Sequence, residues 1–234
     1  MHTEFKQGFF LKFFLFPLFM VWLTGLLFLF AKGYNESFLL LNSYHLPWLD
    51  FPMLLITMLG DAGFMAVLMI FVFIRKQPYQ LIMLLIAIIL SGILSQVFKN
   101  FLFENWQRPP YLFKEQVHTV GSYLLYHHSF PSGHSSTVAA VFTMLAYFRK
   151  EHKTEIFLYA IICPFIAFTR VYLGVHFLGD TLAGILLGCS TSVMILFLIK
   201  PFKLNLKPRF VLSLRIVTLL AAAVILTVFF MKYL

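Results

Sequence analysis

The chain alternates between long apolar runs and short polar segments, and this pattern predicts its helices. Each run is close to the roughly 20 residues that an α-helix needs to cross the hydrocarbon core of a bilayer. Lysine and arginine collect in the segments between the runs. The predicted fold is an all-α, polytopic membrane bundle with a six-helix core and a C-terminal seventh helix. Its predicted spans are residues 8–31, 52–74, 78–98, 132–148, 155–173, 177–199 and 210–231.

Composition excludes a soluble protein. Of the 234 residues, 61% are hydrophobic and 12% are charged, and the mean hydropathy is +0.88. The sequence contains no repeat, low-complexity tract or interdomain linker, so we predict a single integral-membrane domain over residues 1–234. Its core covers about 52–199, and 210–231 forms the extra helix. The two cysteines, Cys163 and Cys189, fall inside predicted spans and exclude a disulfide framework.

The net charge of +9 would suggest nucleic-acid binding in a soluble protein. In a membrane protein, the distribution of the cations between the two sides indicates the orientation instead. If the spans alternate, one side holds Lys6, Lys12, Arg75, Lys76, Arg149, Lys150, Lys153, Lys200, Lys203, Lys207 and Arg209. The other side holds Lys32, Lys99, Arg108, Lys114, Arg170 and Lys232. The first side is therefore predicted to be cytoplasmic, with the N-terminus inside and the C-terminus outside a cell membrane.

The long outer connection, residues 99–131, leads into the sequence Ser-Phe-Pro-Ser-Gly-His-Ser-Ser at 129–136. Pro131 and Ser132 suit the start of a helix, and Gly133 allows close approach to the backbone. The first-turn amides of such a helix have no carbonyl partners, and they form a natural anion site. His134 lies in the same turn, so a bound anion would have a titratable proton within reach.

A second polar group lies where the fifth predicted span ends and the sixth begins. Arg170 is near the outer end of one helix, and His176 and Asp180 are four residues apart on one face of the next. In that register the carboxylate can accept the Nδ1–H of the imidazole and leave Nε2 with its lone pair. With Lys99 and Arg108 at the same rim, the inventory of cations and donors suits a phosphate group.

These residues resemble the motifs of the type 2 phosphatidic acid phosphatase and vanadium haloperoxidase superfamily. The second motif is Pro-Ser-Gly-His at 131–134, and the third is Arg170, five residues, His176, three residues and Asp180. The first motif departs from the pattern, since eight residues instead of six separate Lys99 from Arg108. On a continuous helix this longer step would turn the two cations to opposite faces. Either residues 100–107 are not one regular helix, or one cation is misassigned.

The resemblance implies a metal-independent and cofactor-independent hydrolysis of a lipid phosphate in two displacements. His176 would attack phosphorus, Asp180 would fix its tautomer, and His134 would protonate the leaving oxygen and then activate water. Lys99, Arg108 and Arg170 would bind the phosphoryl oxygens, together with Ser132, Gly133 and the 132–134 amides. The site would lie on the extracytoplasmic face. By analogy we rank undecaprenyl or other polyprenyl diphosphate first as substrate and phosphatidylglycerophosphate second, while oligomeric state stays open.

Three alternatives stay open at the level of sequence. A transporter or channel could also carry charges at outward-facing helix ends, and Asp61 within the second predicted span would be its best support. Asp61 could equally mark a helix-packing site with a hydrogen-bond partner on a neighbouring helix.

A metal-dependent hydrolase could use His118, His127 and His128. A vanadate-using peroxidase is an alternative within the superfamily. Residues 33–51 are predicted to lie along the outer interface, with Trp48 at headgroup depth.

Overall fold

The computed structural model describes residues 8–121, 126–199 and 207–233, without the side chains of 229, 230, 232 and 233. It is all-helical over this part of the chain, as predicted. Three residues that are predicted to be cytoplasmic lie outside the described residues: Lys6, Lys200 and Lys203. The helices are α1 Gly8–Lys32, α2 Tyr34–Ser43, α3 Pro47–Thr57, α4 Ala62–Phe73, α5 Pro78–Leu102, α6 Pro109–Phe113, α7 Gly133–Phe148, α8 Lys153–Tyr172, α9 Leu178–Leu198 and α10 Pro208–Tyr233.

Within the described residues, five helices are long and apolar enough to cross a membrane: α1, α5, α8, α9 and the first part of α10. The pair α3 and α4 qualifies as a sixth span if it is counted together. Helix α7 corresponds to the predicted span 132–148 but has only 16 residues. At about 1.5 Å per residue it is shorter than a full crossing requires.

The second predicted span is broken in the middle. Helices α3 and α4 meet at an angle of 71°, with a short 3₁₀ turn at Met58–Gly60 between them. Asp61 caps the start of α4, since its carboxylate accepts a hydrogen bond of 2.8 Å from the amide of Phe64. Asp61 is therefore used structurally, although its partner lies on its own helix and not on a neighbouring one. A break inside the membrane needs such a cap, because it leaves backbone donors without partners.

Helices α7 and α9 cross closely and form the centre of the bundle. A Cβ atom at Gly188 of α9 would lie 2.1 Å from the carbonyl oxygen of Ser136, and one at Gly184 would lie 2.5 Å from that of Ser132. Only glycine allows this approach, which also places the first turns of the two helices side by side. Residues 138–141 of α7 are fully buried around this crossing.

Helix α2 buries one face against the rest of the bundle. Phe38 is fully buried, and Asn42 is 2% exposed. The Asn42 amide donates to the carbonyls of His118, Val171 and Tyr172, and its oxygen accepts from the amide of His118 at 2.8 Å. The hydrogen bonds of Asn42 join α2 to two distant parts of the chain, at His118 and at the end of α8. The interfacial location of 33–51 stays a prediction, with Trp48 70% exposed.

Candidate active site

A tight turn between α8 and α9 fixes the position of His176. The carbonyl of Arg170 accepts hydrogen bonds from the amides of Val175 at 3.1 Å and His176 at 3.2 Å. Gly174 has a φ of +74°, and a Cβ atom there would lie 2.3 Å from the carbonyl oxygen of His118. Both the backbone conformation and the lack of space require glycine. The turn therefore places His176 directly before the first turn of α9.

His176 and Asp180 form the pair that the sequence predicts. His176 Nδ1 lies 3.1 Å from Asp180 Oδ2, and the two residues are 2% and 0% exposed. Because an ionised carboxylate only accepts hydrogen bonds, Nδ1 carries the proton and Nε2 presents its lone pair. The Nη1 atom of Arg108 lies 3.2 Å from Nε2. The lone pair on Nε2 of His176 thus faces the guanidinium of Arg108, which can also bind an anionic ligand.

The carboxylate of Asp180 is held by three donors besides His176. Its Oδ2 atom accepts from the amide of Phe177 at 3.0 Å and from the hydroxyl of Ser129. Its Oδ1 atom accepts from the hydroxyl of Tyr34 in α2. Sequence analysis missed Ser129 and Tyr34. They are 51 and 146 residues from Asp180 in the chain, so no local pattern connects them to it.

The unusual spacing of Lys99 and Arg108 is accommodated by irregular backbone. Helix α5 ends in a π-helical turn at Phe98–Leu102, and the chain then leaves the helix before Arg108. Arg108 donates to the carbonyls of His127 at 3.0 Å and Val175 at 3.1 Å, which holds its guanidinium beside His176. Residues 100–107 are therefore not one regular helix, and the first of the two sequence-based explanations holds.

All three predicted cations are buried. Lys99, Arg108 and Arg170 are 7%, 5% and 6% exposed. Arg170 donates from Nη1 to the hydroxyl of Thr57 at 3.0 Å, so the broken α3–α4 span contacts the site. Buried cations are costly unless an anion accompanies them. Their concentration at this point therefore favours an anionic ligand.

The start of α7 forms one wall of the site. Ser132 is its N-cap, and the Ser132 hydroxyl accepts from the amide of Ser135 at 3.3 Å. The Ser132 amide donates to the backbone carbonyl of Asp180 at 3.0 Å, which ties the first turns of α7 and α9 together. This amide is engaged within the protein, so the predicted phosphate-binding role of Ser132 depends on its hydroxyl. Gly133 follows, and an ideal Cβ atom on it would lie 3.5 Å from Ser95 Oγ.

His134 lies in the first turn of α7 and packs against the break in the α3–α4 span. A Cβ atom at Gly60 would lie only 2.9 Å from the Cβ of His134. The absence of a side chain at Gly60 therefore makes room for the imidazole. Gly60 directly precedes Asp61, and His134 packs against it.

Burial and neighbouring positive charges lower the pKa of His176. Its pKa lies well below the ordinary value, mainly because the ring is buried and further because of the positive charges of Arg108, Lys99, Arg170 and His134. His176 is therefore neutral at physiological pH, with Nε2 free of a proton. A neutral imidazole among cations is suited to attack an electrophilic phosphorus whose oxygens those cations bind.

The remaining histidines of the outer connection make separate contacts. His118 lies 3.0 Å from a carboxylate oxygen of Asp50, and His127 packs against a tyrosine ring. His128 Nδ1 faces the carbonyl of Lys99 at 3.3 Å. Within residues 8–121, 126–199 and 207–233, no three His, Cys, Asp or Glu side chains are grouped so that they could hold a metal ion.

Comparison with known proteins gives a consistent result. The sequence model of the PAP2 superfamily matches residues 80–204. The chain is 31% identical over 173 residues to phosphatidylglycerophosphatase B of Bacillus subtilis, which covers 69% of this chain and 78% of that protein. It is 27% identical over 164 residues to lipid A 4'-phosphatase of Porphyromonas gingivalis, covering 66% and 67%. The crystal structure of Aquifex aeolicus LpxE superposes with a TM-score of 0.60 at 32% identity, over 70% of this chain and 94% of that one.

Proposed function

The chain belongs to the PAP2 superfamily and is a membrane lipid phosphatase; from this premise we propose that it hydrolyses phosphatidylglycerophosphate through a phosphohistidine on His176. The observation that carries the proposal is the geometry of His176. Its Nδ1 is bound to Asp180 at 3.1 Å, and its Nε2 faces the guanidinium of Arg108 at 3.2 Å. A phosphoryl group bound to Arg108 would meet the lone pair of Nε2.

The reaction proceeds in two displacements. In the first, Nε2 of His176 forms a bond to phosphorus while the bond from phosphorus to the lipid oxygen breaks, and His134 gives its proton to that oxygen. The lipid alcohol leaves. In the second, His134 takes a proton from water, the hydroxide attacks phosphorus, and the phosphorus–nitrogen bond breaks to release phosphate. Asp180 balances the positive charge that the imidazole carries while it is bonded to phosphorus.

Lys99, Arg108 and Arg170 bind the phosphoryl oxygens throughout, together with the Ser132 hydroxyl and the first turn of α7 that Gly133 opens. These groups are in place before substrate arrives, so they stabilise the charge of the transition state without rearrangement. The three cations and Ser132 are buried. From the excess of cations at the opposite ends of the predicted spans, we place the site on the extracytoplasmic face of the cell membrane.

The relatives change the order of candidate substrates. The sequence ranked polyprenyl diphosphate first by analogy, whereas a relative of 31% identity is named phosphatidylglycerophosphatase B and a second is named for lipid A. We therefore place phosphatidylglycerophosphate first. Phosphate release from purified protein should be measured across phosphatidylglycerophosphate, undecaprenyl diphosphate, phosphatidic acid and lipid A phosphate. A preference of tenfold or more for another member of this panel would overturn the substrate assignment.

The intermediate is tested separately from the substrate. With a ³²P-labelled lipid phosphate, rapid quenching in base should trap label on the wild-type protein, and His176→Ala should carry none and release no phosphate. The matched control is His152→Ala, because the His152 ring is exposed and lies 3.5 Å from Glu155 at the other end of α8. Normal turnover by His176→Ala would remove the mechanism, whatever lipid is preferred.

The proposed membrane face has its own test. In a variant with Cys163 and Cys189 replaced, a single cysteine is introduced at Tyr44, just after α2, or at His152, just before α8. Both positions are exposed. A membrane-impermeant maleimide added to intact cells should label the cysteine at 44 and spare the one at 152. The reverse labelling would place the site on the cytoplasmic face.

A further inference from the structure

Tyr34 occupies a position that none of the three motifs includes. It is the first residue of α2, and its hydroxyl donates a hydrogen bond to Oδ1 of Asp180. The other donors to this carboxylate, His176, Phe177 and Ser129, all use Oδ2. Tyr34 thus supplies a hydrogen bond to the second oxygen of the carboxylate. A carboxylate that is bonded on both oxygens cannot turn about its Cβ–Cγ bond without losing a partner.

The ring of Tyr34 is itself held in place. Its centroid lies 4.7 Å from that of Phe177 and 5.6 Å from that of Trp106, which it meets edge to face. A Cβ atom at Gly179 would lie 2.5 Å from Cε2 of Tyr34, so glycine at this position leaves room for the ring. Burial and the charge of Asp180 raise the pKa of Tyr34, and the hydroxyl therefore keeps its proton and acts as a donor.

The other end of α2 is anchored to the same turn that carries His176. Asn42 lies two helical turns after Tyr34, and its amide donates to the carbonyls of Val171 at 3.1 Å and Tyr172 at 3.0 Å. These carbonyls belong to the last turn of α8, which leads directly to His176. Helix α2 is thus bonded at one end to the carboxylate and at the other to the turn, and it holds the two at a fixed separation.

We infer that Tyr34 is a positioning residue for the phosphatase reaction, and that it acts through Asp180 without touching the substrate. This inference rests on the proposed function. The hydroxyl keeps the Asp180 carboxylate ionised and aimed at Nδ1 of His176, so that Nε2 points at phosphorus. Because the charge on His176 develops only in the transition state, the contribution of Tyr34 belongs to kcat and not to substrate binding.

The test is Tyr34→Phe, which removes the hydroxyl and keeps the ring between Phe177 and Trp106. The loss of a hydrogen bond to a buried charged group should lower kcat by about ten- to a hundredfold. KM and the melting temperature should stay close to their wild-type values. The control is Tyr44→Phe, since Tyr44 directly follows α2 and is 74% exposed. Rates are expressed per folded protein, measured as the monodisperse fraction in size-exclusion chromatography.

A double-mutant cycle separates a positioning role from a purely structural one. If Tyr34 acts through Asp180, then Tyr34→Phe should lower kcat by less than about threefold in an Asp180→Asn background, because the charge it supports is already absent. An equal loss in both backgrounds would overturn the inference. So would a Tyr34→Phe variant with normal kcat, or one in which only KM or stability changes.

The same experiments distinguish this inference from the proposed function. Wild-type activity, a dead His176→Ala variant and a normal Tyr34→Phe variant would reject the role of Tyr34 and leave the phosphatase mechanism intact. An active His176→Ala variant would instead reject the mechanism on which the role of Tyr34 rests.

Discussion

Replacing Asp180 by Asn should remove most of the activity and leave the fold intact. The asparagine oxygen can take the place of Oδ2, where it would still accept from His176, Phe177 and Ser129. Its NH₂ group would take the place of Oδ1 and donate to the hydroxyl of Tyr34, which can turn to accept. Only the Tyr34 O–H loses its acceptor, and its oxygen gains an N–H donor in exchange, so we expect the free energy of unfolding to fall by about 1–3 kcal/mol.

The catalytic loss can be estimated from the geometry. His176 is neutral before the reaction and becomes positive as it bonds to phosphorus, with its Nδ1 3.1 Å from a carboxylate oxygen. At an effective dielectric constant of about 20, the attraction between unit charges at this separation is about 5 kcal/mol. The attraction exists only in the transition state and the intermediate, so its loss lowers kcat. At about 1.4 kcal/mol per factor of ten, kcat should fall by about four orders of magnitude.

The assay combines phosphate release in mixed micelles with thermal unfolding followed by tryptophan fluorescence. Asp180→Ala provides the contrast, because it leaves four buried donors without an acceptor and should lower stability by several kcal/mol as well. The matched control is Asp61→Asn, since asparagine caps a helix as well as aspartate does and activity should persist. A folded Asp180→Asn variant that retains kcat within tenfold of wild type would refute the view that this carboxylate balances the charge on His176.

Four further predictions follow from the site. His134→Ala should lower kcat on lipid monoesters by about 10²- to 10⁴-fold but cost far less on aryl phosphates, and equal losses in steady-state assays would exclude His134 as the acid. Lys99→Gln should raise the pKa of His176, because positive charge lowers it, and should move the acid limb of the kcat/KM profile to higher pH than in wild type on the same substrate; an unmoved limb contradicts this. Gly184→Ala should destabilise the protein by about 1–3 kcal/mol in thermal unfolding, since its Cβ would meet backbone 2.5 Å away, whereas Gly92→Ala, with nothing within 4 Å, should be neutral or stabilising. Activity should survive exhaustive chelation with EDTA, and a loss that Zn²⁺ or Mg²⁺ restores would support the metal-dependent alternative.

The sequence predicts best those features that depend on neighbouring residues. His176 and Asp180 are four residues apart at the predicted start of a helix, so a local pattern brings them together, although His176 itself lies in the turn just before α9. The cap of α7 at Ser132 could also be predicted, because a serine before a glycine and a helical run is a local signal for a helix start. Apolar length predicts the spans and the all-helical fold in the same way.

Features that depend on contacts across the bundle could not be predicted. Tyr34 reaches Asp180 from 146 residues away, and Ser129 bonds to it across the gap between α7 and α9. The break before Asp61 escapes detection because residues 52–74 are apolar on both sides of it, and length alone favours one continuous helix. The positions of Lys99 and Arg108 depend on a π-helical turn, and hydrophobic periodicity does not report such a turn.

The charges of the site explain why so apolar a chain keeps a polar cluster buried. Lys99, Arg108 and Arg170 contribute three positive charges around His176, and Asp180 contributes one negative charge, so the group has an excess of two positive charges. Such an excess opposes folding when it is buried. A phosphate monoester carries about −1.5 to −2 charges at neutral pH and would balance it. A bound phosphoryl group therefore supplies negative charge at this point, and its binding relieves the repulsion among the three cations.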